Sequence, residues 1–220
     1  MNGILVVNKP QGITSHDVVA RVRRIFRIRR VGHAGTLDPL ATGVLVILLG
    51  KSTKLFNKFQ SLDKAYRATL KLGVTTHTAD ILGKVIEQRP YVGITQAKIE
   101  EVFQKFIGEI EQTPPMVSAV KIGGKRLYKL ARKGIAVDRK PRVIRINTLR
   151  LINFFDSAVE FYVECSKGTY VRQLAEDMGR ALGCGACITQ IERTKVGDFA
   201  IEQAVKLEDL KESHVQSWRD

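Results

Sequence analysis

The stretch His33-Ala34-Gly35-Thr36-Leu37-Asp38-Pro39-Leu40-Ala41-Thr42-Gly43 carries one carboxylate, Asp38, among glycines and a proline. Glycine permits tight backbone turns, and proline restrains the residue before it to an extended conformation. A carboxylate on such a loop, beside an apolar strand, is well placed to project into a cleft and react. Aspartate before proline suits a turn cap equally well, so residue type alone leaves both readings open. Metal chemistry finds less support. Cys184 and Cys187 form a Cys-x-x-Cys pair, but zinc needs further ligands, and the four histidines supply none at finger spacing. With Cys165 the cysteines number three, which does not make a disulfide framework.

Local patterning indicates which elements hold that loop. Gly3 to Val7 reads as a buried strand ending in the turn Asn8 to Gly12. Ser15 is a good N-cap for a helix with Val18, Val19, Val22, Ile25 and Phe26 on one face and arginines on the other. Gly32 to Gly43 is expected to be loop throughout, and Val44 to Leu49 a fully buried strand. Lys64 to Leu72 alternates as a strand, and Leu82-Gly83 with Lys84 to Gln88 suggests a hairpin. Thr95 caps a helix carrying Ile99, Val102, Phe103 and Phe106. Met116 to Ile122 looks extended, and Arg126 to Lys133 looks like a short basic helix. Val143 to Phe154 and Val159 to Cys165 alternate as strands. A helix with Leu174, Met178 and Leu182 follows Gly168-Thr169, and Ala186 to Phe199 is a last strand region broken near Gly197. Strands in clusters with helices between some of them indicate α+β, with a mixed, mostly antiparallel sheet flanked by helices.

Charge points to the partner. The 220 residues hold 36 Lys plus Arg against 22 Asp plus Glu, a formal net charge of +14. A compact protein this basic suits a polyanion, and the excess is clustered, in Arg21 to Arg30 and in Lys121 to Arg142. Neither run has the bulky apolar face of an interfacial membrane helix. No apolar run approaches the ~20 residues of a bilayer span, and Gly3 to Val7 is too short for a signal sequence. The expected setting is the cytoplasm, with no membrane and no protein partner implied.

The whole loop, Gly35-Thr36-Leu37-Asp38-Pro39-Leu40-Ala41-Thr42-Gly43 preceded by Gly32-His33-Ala34, resembles the active-site loop of the TruB family of tRNA pseudouridine synthases. Further stretches resemble the family in the same order: Asn8-Lys9-Pro10 with Gly12 to Ser15; Lys64-Ala65-Tyr66; Leu72-Gly73 with Thr75, Thr78, Asp80 and Gly83; Gln112 with Pro114-Pro115, Ser118-Ala119 and Lys121; and Gly168-Thr169-Tyr170 with Arg172. Together they run from about residue 2 to about residue 200. The resemblance implies the pseudouridine synthase fold, with a catalytic domain over 1–200, a tRNA-gripping basic hairpin-helix insertion over 121–142, and a short tail over 201–220 with no C-terminal PUA domain. Weaker acceptor-stem contacts would follow.

The resemblance also implies the chemistry. The family isomerises uridine 55 of the tRNA T-loop to pseudouridine. The bond between the sugar and N1 of uracil breaks, the base turns, and it rejoins through C5. With no redox step and no energy input, no cofactor and no metal is needed. The aspartate matched by Asp38 attacks either the sugar C1′ or the uracil C6. Burial alone would neutralise such a carboxylate, so a cation must stand close by. Arg172 matches the family arginine that pairs with it, and a guanidinium can grip both oxygens. An arginine at a helix start is disfavoured by the helix dipole, which itself suggests a specific role. Tyr66 matches the tyrosine that stacks on the flipped base and is proposed to help remove the C5 proton; a cross-strand packing role is the alternative. Tyr170 and Ile191 match pocket-lining positions. Ile191 replaces a family leucine, and Glu192 stands where an arginine is common, next to one matched by Arg193. His33 matches a histidine that fills the space left by the flipped nucleotides, against the alternative of a hydrogen-bonded loop histidine. Lys9 and Pro10 are expected to shape the floor of the site. Lys54, Lys121, Arg126 and Arg132 are the expected substrate-binding cations, the last three in a segment that suits phosphates of the T-arm and could otherwise be a solvated basic hairpin. A monomer acting on tRNA is expected.

Overall fold

The computed structural model describes residues 1–118, 121, 122, 125–127, 135 and 137–218. The chain divides into two compact units, Met1–Arg67 with Gln190–Asp220, and Ala68–Thr189. Each is described by itself.

The first unit begins with strand β1 (Gly3–Lys9), helix α1 (Ser15–Phe26), β2 (Val31–Ala34) and β3 (Thr42–Leu49). A 3-10 turn over Gly50–Leu55 leads into the short helix α2 (Phe56–Ser61), and β4 (Lys64–Leu72) carries the chain into the second unit. β1 and β2 both pair antiparallel with β3, Val6 and Ala34 each facing Val46. The inward side chains of these strands are apolar without interruption, so Ile4, Val6, Val44, Val46 and Leu48 build one cluster with Phe59. Helix α1 seals its valines, Val18, Val19 and Val22, against this unit and leaves its arginines in solvent. Its N-cap is Thr14, one residue earlier than the capping pattern of Ser15 suggested. Thr14 and Asp17 form a reciprocal capping box, which frees Ser15 for another task. The expected loop over Gly32 to Gly43 is shorter at its start, because Val31–Ala34 satisfies its main chain against β3.

In the second unit β5 (Val74–Thr76) pairs with β6 (Val85–Gln88). Helix α3 (Gln96–Gln104), capped by Thr95, buries Ile99, Val102 and Phe103, and Phe106 lies just past its end. Strand β7 (Gly108–Gln112) follows, then the two-residue strands β8 (Lys121–Ile122) and β9 (Lys125–Arg126), which pair antiparallel. β10 (Arg142–Phe155) pairs antiparallel with β7 on one edge and β11 (Ala158–Cys165) on the other. Helix α4 (Val171–Ala181) follows, and β12 (Ala186–Val196) leads back into the first unit. Phe103 meets Phe161 edge to face, ring centroids 6.0 Å apart, a contact between the α3 stripe and the inward face of β11. The expected basic hairpin is present as β8 and β9. The helix expected over Arg126 to Lys133 falls largely outside the described residues, with Arg126 itself in β9.

Back in the first unit, β12 runs parallel to β3 through the pairs Glu192 with Thr42 and Arg193 with Gly43. The short strand β13 (Phe199–Ala200) pairs with β12, and β14 (Val205–Lys206) pairs parallel with β1. Residues after 200 are therefore part of this unit. Ile4 exchanges main-chain hydrogen bonds with Gln216, and the Trp218 ring packs edge-on against Phe59 at 5.0 Å. No helix of the described residues is long and apolar enough to cross a membrane.

Candidate active site

Asp38 lies in the first unit on the loop from Gly35 to Ala41 that joins β2 to β3. It is half-buried between buried Leu37 and exposed Pro39. The loop is tied down on both sides of it. Ser15 Oγ accepts from the Leu37 amide at 2.8 Å and donates to the Leu37 carbonyl at 3.0 Å. The Pro39 carbonyl accepts from the Gly12 amide at 2.8 Å, and the Asp38 carbonyl accepts from the Ala41 amide at 3.1 Å. The main chain of Asp38 thus takes part in a turn.

Two buried cations brace this arrangement. Arg193, 1% exposed, donates from Nε to the Val44 carbonyl at 2.7 Å and from its terminal nitrogens to the carbonyls of Gly35 (3.1 Å) and Thr36 (3.5 Å). The planar fork of guanidinium nitrogens can span both ends of the loop at once. Gly43 makes this approach possible: at φ +98°, a Cβ there would lie 2.3 Å from the Arg193 carbonyl oxygen. Lys9, 0% exposed, donates to the carbonyls of Pro10 at 2.8 Å and Ile13 at 2.7 Å, folding the turn whose Gly12 holds Pro39. Burial pushes the Lys9 ammonium down to about 8; the Asp38 carboxylate opposes that shift, and the Arg193 charge adds to it. Lys9, expected to shape the floor of the site, thus holds the turn that anchors Pro39. Its electrostatic link to Asp38, and the role of Arg193 as a loop clamp, were not visible in the order of residues.

The other candidates of this unit are placed as follows. His33 stands on β2, and burial, with the charges of Arg193 and His16, holds its imidazole down to about 4, so it is neutral at physiological pH. Its Nδ1 is buried with no hydrogen-bond partner among the described residues, which removes the reading of a hydrogen-bonded loop histidine for that nitrogen. Tyr66 lies buried on β4 and Ile191 half-buried on β12. Lys54 is exposed in the turn before α2.

The second unit holds Tyr170 and Arg172. Tyr170 occupies the N-cap position of α4, and the buried side-chain amide of Gln112 grips its main chain twice. Oε1 accepts from the Tyr170 amide at 2.8 Å, and Nε2 donates to its carbonyl at 3.1 Å. Arg172, 3% exposed, donates to the carbonyls of Thr78 and Val117 and pairs with buried Asp80 at 3.5 Å. Asp80 is itself held by Thr78, whose hydroxyl donates to Oδ1 at 2.7 Å, and by the Leu82 amide at 3.2 Å. The spacing of Thr78, Asp80 and Gly83 was a motif signal, but its use in orienting Arg172 required the fold. Lys121 and Arg126 lie on the β8–β9 hairpin, and Arg132 lies outside the described residues. Arg139, another cation of the insertion, donates to the Pro114 carbonyl at 2.8 Å. Among the described residues no group of His, Cys, Asp and Glu could hold a metal ion.

Comparison with known proteins gives the family. Residues 23–171 match the TruB family pseudouridylate synthase N-terminal domain, and residues 172–220 match the tRNA pseudouridylate synthase B C-terminal domain. The chain is 50% identical over 218 residues to the tRNA pseudouridine synthase B of Clostridium tetani, covering 99% of this chain and 75% of that protein. It is 48% identical to the protein of the same name from Mycobacterium tuberculosis, covering 96% of this chain and 72% of the relative. Among solved structures, a chain of a Cbf5-Nop10-Gar1 complex superposes with a TM-score of 0.75 at 32% identity, covering 94% of this chain and 53% of that one. A chain of an H/ACA RNP bound to a substrate RNA containing 2'-deoxyuridine gives 0.71 at 28% identity, covering 94% and 52%. This chain thus spans about half the length of those two solved chains. The α+β architecture is that of the pseudouridine synthase fold, and the chain belongs to the TruB family of pseudouridylate synthases.

Proposed function

We propose that this protein isomerises uridine 55 in the T-loop of tRNA to pseudouridine, flipping the base out and attacking the flipped nucleotide with the carboxylate of Asp38. The class of activity, isomerisation of uridine in tRNA, rests on family membership and on 50% identity over 218 residues to a tRNA pseudouridine synthase B. That identity is the observation that carries the reading. The anchored loop supports it, because a nucleophile must keep its orientation while the base is extruded.

The reaction needs little beyond position and charge. Asp38 forms a bond to C1′ or C6, the N1–C1′ bond breaks, the base turns, C5 bonds to C1′, and the bond to Asp38 breaks to return the free carboxylate. The proton lost from C5 is balanced by one gained at N1, so electrons and atoms close without a cofactor. Arg172 serves to pair with the Asp38 carboxylate and keep it ionised; its bonds to Thr78 and Val117 would hold the guanidinium in one orientation. Tyr66 offers a stacking face that offsets part of the cost of unstacking the base, a few kcal/mol, and helps remove the C5 proton. His33, held neutral by burial, fills the gap left in the RNA. Tyr170 and Ile191 line the base pocket. Lys54 and the insertion cations Lys121, Arg126 and Arg132 meet phosphates of the T-arm. The protein acts as a monomer in the cytoplasm.

A guide-dependent mode, within a ribonucleoprotein, is a second reading that the fold permits. The identity of 50% to a tRNA enzyme against 28% to 32% for the two solved chains favours action on bare tRNA. The test is release of the uridine C5 hydrogen from an unmodified tRNA transcript, with no other protein or RNA added. The wild type should turn over and Asp38→Ala should not, while both bind tRNA. Turnover by Asp38→Ala would remove that carboxylate from the mechanism. Wild-type turnover that appears only with a guide RNA would overturn the stand-alone reading.

A further inference from the structure

From Val18 to Leu62 the sequence holds nine basic residues and one acid, and that acid is Asp38. All nine cations are exposed. They come from two stretches that the fold brings together, because α1 and α2 both pack against β2 and Arg30 Nε donates to Thr53 Oγ1 at 2.6 Å. Arg21 and Arg24 lie on the solvent side of α1, Arg27 and Arg29 in the turn that leaves it, and Lys51 and Lys54 in the turn before α2.

Such a face is costly for a protein alone. Like charges three and four residues apart destabilise a helix, and α1 carries Arg21, Arg23 and Arg24 with Arg27 as its C-cap. Asp17, in the first turn, is engaged by Thr14 and reaches Arg21 only electrostatically. No ion pair joins Arg21, Arg24, Arg27 or Arg29 to a carboxylate among the described residues. A polyanion would relieve that repulsion. The direction of the face is informative as well. α1 starts at Ser15, which holds Leu37 beside Asp38, and its 12 residues lead away from the loop over about 18 Å. The cations of α1 therefore begin with Arg21, about 9 Å along the helix from Ser15, and continue to its far end.

We infer that this arginine-lysine face of the first unit is a second RNA-binding surface, which takes the sugar-phosphate backbone of the tRNA substrate away from the flipped uridine. The inference rests on the tRNA reading above and adds a site to it, separate from the 121–142 insertion. The contacts are to phosphates, so they strengthen binding without reading sequence.

The test is the triple variant Arg21→Gln, Arg24→Gln, Arg29→Gln, with binding of an unmodified tRNA transcript followed by fluorescence anisotropy from about 50 to 200 mM salt. Each lost phosphate contact should flatten the plot of log affinity against log salt by about 0.7–0.9, so the three together by about 2.1–2.7. Affinity at the lowest salt should fall at least roughly tenfold, KM should rise, and turnover at saturating tRNA should stay near wild type. The matching Arg→Lys triple should restore both affinity and slope, because phosphates accept either cation. Wild-type affinity and slope in the Gln triple would overturn the inference. Weakened binding that the Lys triple fails to restore would also overturn it, since a fold defect would then be the cause. A wild type that binds tRNA yet releases no C5 hydrogen would refute the catalytic proposal and leave this titration readable.

Discussion

Two buried arginines, one in each unit, do different work with the same side chain. Arg193 spends its donors on the main-chain carbonyls of Gly35, Thr36 and Val44, and thereby clamps the loop that carries Asp38. Arg172 also donates to carbonyls, of Thr78 and Val117, but faces a carboxylate, Asp80, that is buried with it. The first is a mechanical tie whose charge is incidental to its geometry. The second is part of a charged set, in which the orientation of one cation is fixed by a neighbouring anion. A similar pairing recurs among the neutral fasteners. The Ser15 hydroxyl holds both main-chain groups of Leu37 with one atom, and the Gln112 amide holds both main-chain groups of Tyr170 with two. Buried polar side chains that grip the main chain on both sides are how this protein keeps irregular segments in one conformation.

The largest effect is expected from Arg172→Met. It leaves Asp80 as an uncompensated buried carboxylate, and the expected loss is about 3–5 kcal/mol of stability, read by urea unfolding, with turnover reduced at least roughly 100-fold. Adding Asp80→Asn should return a measurable part of the stability and none of the turnover; full additivity of the two changes would show that the pair is not coupled. Arg193→Met should cost less, about 2–3 kcal/mol, because it strands carbonyls rather than a charge. Its kcat should fall about 10- to 100-fold through a loosened loop, and neutralising nearby carboxylates should not rescue it. A stability gain from such neutralisation would erase the distinction between the two arginines.

The smallest expected effect concerns His33. Its imidazole is held down to about 4 in the folded protein, against about 6.5 in an unfolded chain. Between those values the unfolded chain binds the proton first, so stability should fall as pH drops from 6.5 to 4. Given its partial exposure the change should be about 1–2 kcal/mol. His33→Gln should flatten that part of the stability–pH curve, and an unchanged curve would show that His33 titrates normally.

Much of the first unit was legible in residue order. β1, β3 and β4 announced themselves by apolar runs or alternation, and α1 by its valine stripe opposite arginines, because burial on one face leaves a periodic trace. The boundaries were less legible. β2 looks like loop, since Val31 to Ala34 contains glycine and histidine, and its strand state comes from pairing with β3. The helix start fell at Thr14 because Ser15 turns inward to Leu37, a partner 22 residues away. The turns and short helix between Gly50 and Ser61 carried no pattern strong enough to mark them.

What the sequence determined alone was the chemistry it could support: one carboxylate on a glycine- and proline-bounded loop, a family motif set in order, and a charge of +14 suited to RNA. What holds the loop of that carboxylate in place comes from folding. The Arg193 bonds span 149 to 158 residues of chain and end on main-chain carbonyls. Every residue has such a carbonyl, so a clamp made on them leaves no mark in the order of side chains; it exists once β12 lies beside β3.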